Sequence, residues 1–373
     1  AFSPDGKILA SGGGATEGGG IGGELDGTIR LWDADPDSPR YGQQLGEALR
    51  GHTAEVAGLA YAPDGTRLAS CSWDGSVRIW DVDPASPTFG QPQGDPLQGE
   101  DEGVSEVAFS PDGHLVAATY TEKVYLWDVD PASPTFGKPI IKMDTNSYMG
   151  DGLAFSPDGQ FLAYAGSGEY NNGTSIFEPM QLWNADPDSP DFGQLILQFQ
   201  GGHSRSILRV KFHPNGKILA SAGGDDVIRL WNVDPDSPDF GQTIGPPMVA
   251  QGQDVYGIAF SPDGKFLASA TIQDGKLQLW DTDPESPTFG QPLGVPLNQD
   301  NIWAISIEYS PDGKYFAVGD VYTWVHLWNV DPLAWIEYIC ERAGRNLSED
   351  EWNLYLSWAG PYDPSYKTCP QWP

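Results

Sequence analysis

Two kinds of apolar pattern alternate along this chain. Runs such as Lys217-Ile-Leu-Ala-Ser221 carry their apolar residues in a block, whereas runs such as Val227-Ile-Arg-Leu-Trp231 alternate apolar and polar side chains with period two. Both are rich in β-branched and aromatic residues, so they predict short strands. The pentapeptide [FY]-x-P-[DN]-G precedes each block, beginning at Phe2, Tyr61, Phe109, Phe155, Phe212, Phe260 and Tyr309. Ser-Pro-Asp-Gly suits a type I turn, because Pro presets φ at the second position, Asp tolerates the third and Gly takes the fourth. A Trp-[DN] pair closes each alternating run, at Trp32, Trp80, Trp127, Trp183, Trp231, Trp280 and Trp328. The frame recurs seven times at intervals of 59, 48, 46, 57, 48 and 49 residues, a period near 48 with two insertions. Such a period makes each unit one supersecondary element that completes its core against its neighbours.

The residue four after each turn glycine is alanine: Ala10, Ala69, Ala117, Ala163, Ala220, Ala268 and Ala317. A small residue there lets neighbouring sheets approach where they converge. Four short strands per unit, stacked radially, predict a propeller.

At this point the residues resemble a known family. His52, Ser70, Asp74 and Trp80, within Gly51-His52 … Trp80-Asp81, are similar to the WD40 repeat with its hydrogen-bonded His–Ser–Asp–Trp set, and His203, Ser221, Asp225 and Trp231 repeat it. The resemblance implies an all-β, seven-bladed WD40 β-propeller over residues 1–331 and a role as an interaction platform. The third unit lacks the His and the Asp, with Thr121 in the latter's place. The sixth keeps Asp274 without the His, and the seventh keeps neither.

The first insertion is the glycine-rich stretch 12–23, with no Gly-Lys-Ser/Thr to make it a phosphate cradle. The second, 167–179, includes Asn172-Gly173-Thr174, a match to a glycosylation acceptor. After each Trp-[DN] comes a further repeated loop, such as Asp35-Pro-Asp-Ser-Pro-Arg-Tyr-Gly-Gln43. Asp33, Asp35 and Asp37 resemble the start of a calcium loop, but the glycine at its sixth position and its closing Glu are absent. The expectation is a rigid, metal-free bracket with Tyr41, Phe89, Phe136, Phe192, Phe240 and Phe289 buried at the outer edge.

Beyond Trp328 the pattern becomes helical. Asp331 caps a run with Pro332 first, an apolar stripe of Leu333, Ile336, Ile339, Cys340 and Ala343, and Gly344 as stop. Ser348-Glu-Asp-Glu351 reads as a capping box, so 332–373 is expected to be a helical hairpin with an extended tail. This ending looks like the terminus of large bacterial multidomain WD40 proteins, in which the propeller follows an effector domain. The chain begins inside a repeat and without Met, as a piece of a longer protein would. The innermost strand of the first unit and the outermost of the seventh have no sequence here, and the hairpin is expected to cover the exposed edges near both units.

Charge adds one constraint. The formal net charge is −32, and of 36 Asp, 22 fall in the Pro-Asp-Gly turns and the brackets. Those turns emerge together in an up-and-down blade, so one face of the disc is acidic and unsuited to nucleic-acid phosphates. Turn chemistry and solvation account for the Asp, with a saline habitat or a basic partner as alternatives. No run approaches the roughly 18 apolar residues of a membrane span. Cys71 reads as a core residue, while Cys340 and Cys369 suit either a bridge or two free thiols.

No catalytic or metal motif appears, and no cofactor is expected. The five histidines are scattered, and the carboxylates sit in repeated turns. The departures from the repeat are aromatic and loop-like, and they share the face opposite the acidic turns: Trp73, Tyr120, Tyr148, Tyr170, Arg205, Tyr256, Trp303 and Tyr322. Aromatics and Arg are the residue types of interface hot spots, so a protein partner is expected there. The leading reading is a non-catalytic sensor or scaffold module of a larger bacterial signalling or defence protein. A structural subunit of an extracellular or surface assembly is the alternative, with self-assembly; an enzyme or glycan binder would need convergent polar groups in the central channel. The sequence favours the cytoplasm slightly and leaves an extracellular location open.

Overall fold

A computed structural model describes residues 1–13, 27–100, 103–145, 149–167, 170–171, 174–175, 180–272, 274–298, 303–321, 324–330 and 348–349. The protein is an all-β propeller. Val56–Tyr61, Arg67–Ser72, Ser76–Asp81 and Leu97–Gln98 pair antiparallel in chain order, with Ala60 opposite Ala69 and Ala69 opposite Ile79. Among the described residues there are five such four-stranded sheets. The last unit gives three strands, Ala304–Tyr309, Tyr315–Asp320 and Val325–Asn329. The first gives Ile8–Gly12 and Ile29–Asp33, widened by isolated bridges from Phe2 to Leu9, Ile29 to Leu49 and Trp32 to Gln44.

The first turn of each unit forms as its residues demand. Ser110 Oγ donates to Asp112 Oδ1 at 2.5 Å, while His114 N donates to Asp112 Oδ1 at 3.0 Å and Leu115 N to Ser110 Oγ at 2.9 Å. Gly113 takes φ 74°, a left-handed value that costs a side-chain-bearing residue of order 1–3 kcal/mol.

These turns also touch round the ring. Gly65 lies against Pro4 of the unit before it, Gly113 against Pro63, Gly159 against Pro111, Gly216 against Pro157 and Gly313 against Pro262. Gly264 lies against His213, which stands where other units have Ser or Ala. Gly6 lies against Pro311, so the first unit meets the last.

The core sits between sheets. Cys71, Val77 and Ile79 pack with Val107, Val116 and Trp127, and equivalent clusters join the later neighbours. Phe2 and Leu9 pack with Ala317, which joins the two ends. The alanine column is buried throughout, from Ala69 at 0 % to Ala317 at 6 % exposed. Cys71 is buried and free, and its thiol is pushed up, above all by burial.

The brackets are tied to the Trp-[DN] residue. Ser86 Oγ and Thr88 Oγ1 both donate to Asp81 Oδ2 at 2.5 Å, and Asp83 N donates to Asp81 Oδ1 at 3.1 Å. Their aromatics are half-buried rather than buried, and Tyr41 is 43 % exposed. The expectation of burial fails, and three of the rings lie at the surface against glycines of the neighbouring unit. Phe136 lies on Gly94, Phe89 on Gly46 and Phe289 on Gly245, and the outward ring face stays in water. The expected hairpin, apart from Ser348 and Glu349, and with it Cys340 and Cys369, lies outside the described residues.

Candidate interaction surfaces

The His–Ser–Asp–Trp sets join loops to strands. Trp80 Nε1 donates to Ser70 Oγ at 2.8 Å, Ser70 Oγ meets His52 Nε2 at 2.7 Å, and His52 Nδ1 meets Asp74 Oδ2 at 3.0 Å. Thr53 N adds a 2.9 Å bond to the same oxygen. Burial pushes His52 below the ordinary imidazole value despite the pull of Asp74. Burial by itself would raise Asp74, but donors from Ser76, Thr53 and His52 hold its carboxyl below the ordinary range. A neutral His52 that donates from Nδ1 and accepts at Nε2 satisfies the whole chain of bonds. In the fifth unit Trp231 donates to Ser221 at 2.8 Å, His203 meets Ser221 at 2.7 Å, and Asp225 meets His203 at 2.9 Å.

Ser, His and Asp in such a line also make a nucleophilic triad. Here both serines are 0 % exposed, and each oxygen already accepts from an indole. No substrate carbon can reach them, so the line is a structural tie.

Other units show what substitutes. Trp32 donates to Ser11 at 2.9 Å and Trp280 to Ser269 at 2.8 Å, without a histidine. Trp183 donates to Gln181 Oε1 at 3.1 Å. The third unit has Ala118 in place of the serine, and Trp127 stacks on Tyr125 with centroids 5.4 Å apart. The seventh has Val318, and Trp328 Nε1 is buried with no hydrogen-bond partner among the described residues.

The face opposite the acidic turns carries the exposed tryptophans. Trp73, in the loop between the second and third strands of its sheet, is 44 % exposed; its ring rests on Gly103, where a Cβ would come within 2.7 Å of it. Trp303 is 46 % exposed, and its carbonyl accepts from Val321 N at 3.1 Å. Trp324, from the next loop of the same unit, is 63 % exposed. Trp324 is absent from the residues that the sequence singled out, although a tryptophan outside the Trp-[DN] frame was a legible signal. Arg205 projects here, donating to Gly224 O at 3.2 Å with Asp254 Oδ1 3.8 Å away. Tyr256 is half-buried.

Tyr120 does not reach this surface. It is 1 % exposed, its hydroxyl accepts from Gly99 N at 3.0 Å and donates to Gly75 O at 3.2 Å, and its ring packs against Tyr125 and Trp127. With Ala118 at the serine position of the tie and no histidine to join it, Tyr120 packs inward and bonds to the neighbouring loop. Tyr148, Tyr322 and the side chain of Tyr170 lie outside the described residues.

On the other face the carboxylates are engaged locally. Asp33 accepts from Asp35 N and Ser38 Oγ, and Asp35 accepts from Asp37 N, with Lys7 3.1 Å away. Among the described residues no group of three metal-ligating side chains converges.

Compared with known families, the chain matches the WD40 repeat (WD domain, G-beta repeat) over residues 1–33, 42–81, 90–128, 193–232 and 247–281, half of its length. It belongs to the WD40 family. Each matched segment carries one Trp-[DN] pair, and the unmatched frames are the fourth, with its insertion, and the seventh, with its orphaned indole. WD40 domains are usually non-catalytic and commonly bind proteins. No curated protein matches the chain.

Proposed function

We propose that this WD40 domain is a seven-bladed, non-catalytic platform that binds a protein partner on the face carrying Trp73, Trp303 and Trp324. The observation that carries the reading is the exposure of those three indoles on one face, at 44, 46 and 63 %. Tryptophan is costly to leave in water and buries a large area when a partner covers it. Arg205, with its side chain 67 % exposed, adds a guanidinium able to bind a carboxylate or carbonyl in two-pronged fashion. The opposite face repeats one Asp-rich bracket in successive units, and desolvating its carboxylates is expensive. Specific recognition needs a surface that differs from unit to unit, and the tryptophan face has one. The count of seven rests on the repeated frame and on the turn contacts that run from Gly6–Pro311 through to Gly313–Pro262.

The domain serves as a sensor or scaffold module of a larger bacterial signalling or defence protein; the C-terminal sequence resemblance supports this context. The test is photo-crosslinking with a benzophenone amino acid at position 73 or 303, against the same probe at position 236 in a bracket. Crosslinks to one defined protein from 73 and 303 but not from 236 fit the proposal. Crosslinks from 236 alone refute it.

A further inference from the structure

Trp73 stands next to a carboxylate. Val56 pairs with Ser72 at the end of the ladder between the first two strands of its sheet, and one step further Trp73 N donates to Glu55 O at 3.1 Å. Glu55 and Trp73 are therefore neighbours across the end of that ladder. Glu55 is exposed and lies in no ion pair among the described residues. The indole is propped on Gly103 and stays 44 % exposed. A ring held in this way offers its surface to a partner with little entropy left to lose.

The third unit shows how a cation sits between two such groups. Lys142 Nζ lies 5.9 Å from the centre of the Tyr125 ring and pairs with Glu100, whose N donates to the Tyr125 hydroxyl at 3.2 Å. The ring attracts the ammonium through its quadrupole and the carboxylate through its charge. Trp73 and Glu55 supply the same two kinds of group, and tryptophan is the strongest of the aromatic rings towards a cation. The rest of the chain favours the same occupant. A net charge of −32 repels an acidic segment and steers a basic one inward. Arg205, the cation of this face, already has Asp254 Oδ1 3.8 Å away.

We propose that the segment of the protein partner that docks at Trp73 is basic, with an Arg or Lys side chain laid on the indole and its charge towards Glu55. This inference rests on the tryptophan face being the binding surface and adds the chemistry of its occupant. Arginine is the better fit, because its planar guanidinium stacks on an aromatic ring and is more weakly hydrated than an ammonium.

The probe is a short fluorescein-labelled peptide alternating Arg and Gly, read by anisotropy against Glu/Gly and Ser/Gly peptides of the same length. Saturable binding of the Arg/Gly peptide alone is expected, weakening as salt rises. Trp73→Leu leaves the net charge unchanged and should weaken binding about fivefold, the worth of an exposed cation–π contact. Glu55→Gln should weaken it about threefold. Asp83→Asn/Asp130→Asn/Asp283→Asn removes three bracket charges and should change it by less than about twofold, since salt screens the distant face. Thermal melts of each variant confirm folding. No saturable binding of the Arg/Gly peptide, equal affinity for Trp73→Leu, or a larger loss in the bracket variant overturns the proposal. The peptide should also suppress crosslinking from position 73. A crosslinked partner that it does not displace refutes the basic occupant alone, whereas no crosslinks from 73 and 303 would remove the binding face itself.

Discussion

Gly6 sits against Pro311, so that a Cβ on the glycine would lie 3.4 Å from the proline Cδ, although the two belong to the first and last units. Five other turn glycines meet a proline of the preceding unit in the same way. The turn thus has two tasks. Within a unit it reverses the chain, and between units its missing side chain leaves room for the neighbour's proline.

Gly6→Ala should therefore destabilise the fold by about 1–3 kcal/mol, because the residue holds φ 73°. Urea unfolding is the measurement. Joining should also respond to Phe2→Ala, since Phe2 packs with Leu9 and Ala317. If both variants unfold like the parent, the contact between first and last units contributes nothing to stability.

The indole ties make a graded prediction. Ser70→Ala leaves the buried Trp80 N–H and the His52 ring short of a partner, at a cost of about 2–3 kcal/mol. Ser11→Ala removes the acceptor of the half-buried Trp32 and should cost less, about 1 kcal/mol. Equal losses, read from denaturation midpoints, would contradict the role given to the histidine.

Strand and turn positions were legible in the sequence because period-two patterning, Pro-Asp-Gly chemistry and the Trp-[DN] frame agree in every unit. Burial of individual aromatics was not. Tyr120 looked like a loop residue because Thr121 replaces the aspartate, yet, with Ala118 at the serine position of the tie and no histidine to join it, its ring packs inward. The bracket phenylalanines show the reverse. Their repetition suggested core positions, but Phe89, Phe136 and Phe289 lean on glycines of the neighbouring unit, a contact that sequence spacing within one repeat cannot reveal.

Two histidines give a pH dependence. Burial sets both His52 and His213 below the ordinary value of 6.5. Asn215 N donates to His213 Nδ1 at 3.0 Å, so Nε2 carries the proton towards Gly264 O at 2.9 Å, and the ring is neutral. A depressed folded-state value means that this stability is complete above about pH 6.5 and is lost as pH falls through the folded-state values. Stability should decline between pH 7 and 5, with each histidine contributing no more than about 1.4 kcal/mol per pH unit. His213→Ser, the residue of most other units, should flatten the decline. A profile unchanged by it would exclude His213 as a contributor.

The brackets make a prediction about metal. Their carboxylates already accept from backbone N–H groups and from Ser and Thr hydroxyls, as at Asp81 with Ser86 and Thr88. Added calcium should leave the melting temperature unchanged. A rise of several degrees, abolished by Asp35→Asn with Asp37→Asn, would make the brackets ion sites.

The central claim is that the tryptophan face recognises a protein. Its most direct test is quantitative pull-down from lysate of the parent organism, with the partner identified by crosslinking at position 73 or 303. The wild-type domain is compared with Trp73→Ala/Trp303→Ala/Trp324→Ala and with Asp83→Asn/Asp130→Asn/Asp283→Asn. The account predicts at least tenfold loss of capture for the tryptophan variant, at an unchanged melting temperature, and wild-type capture for the bracket variant. Capture lost in the bracket variant and kept in the tryptophan variant would place the partner on the acidic face and contradict the claim.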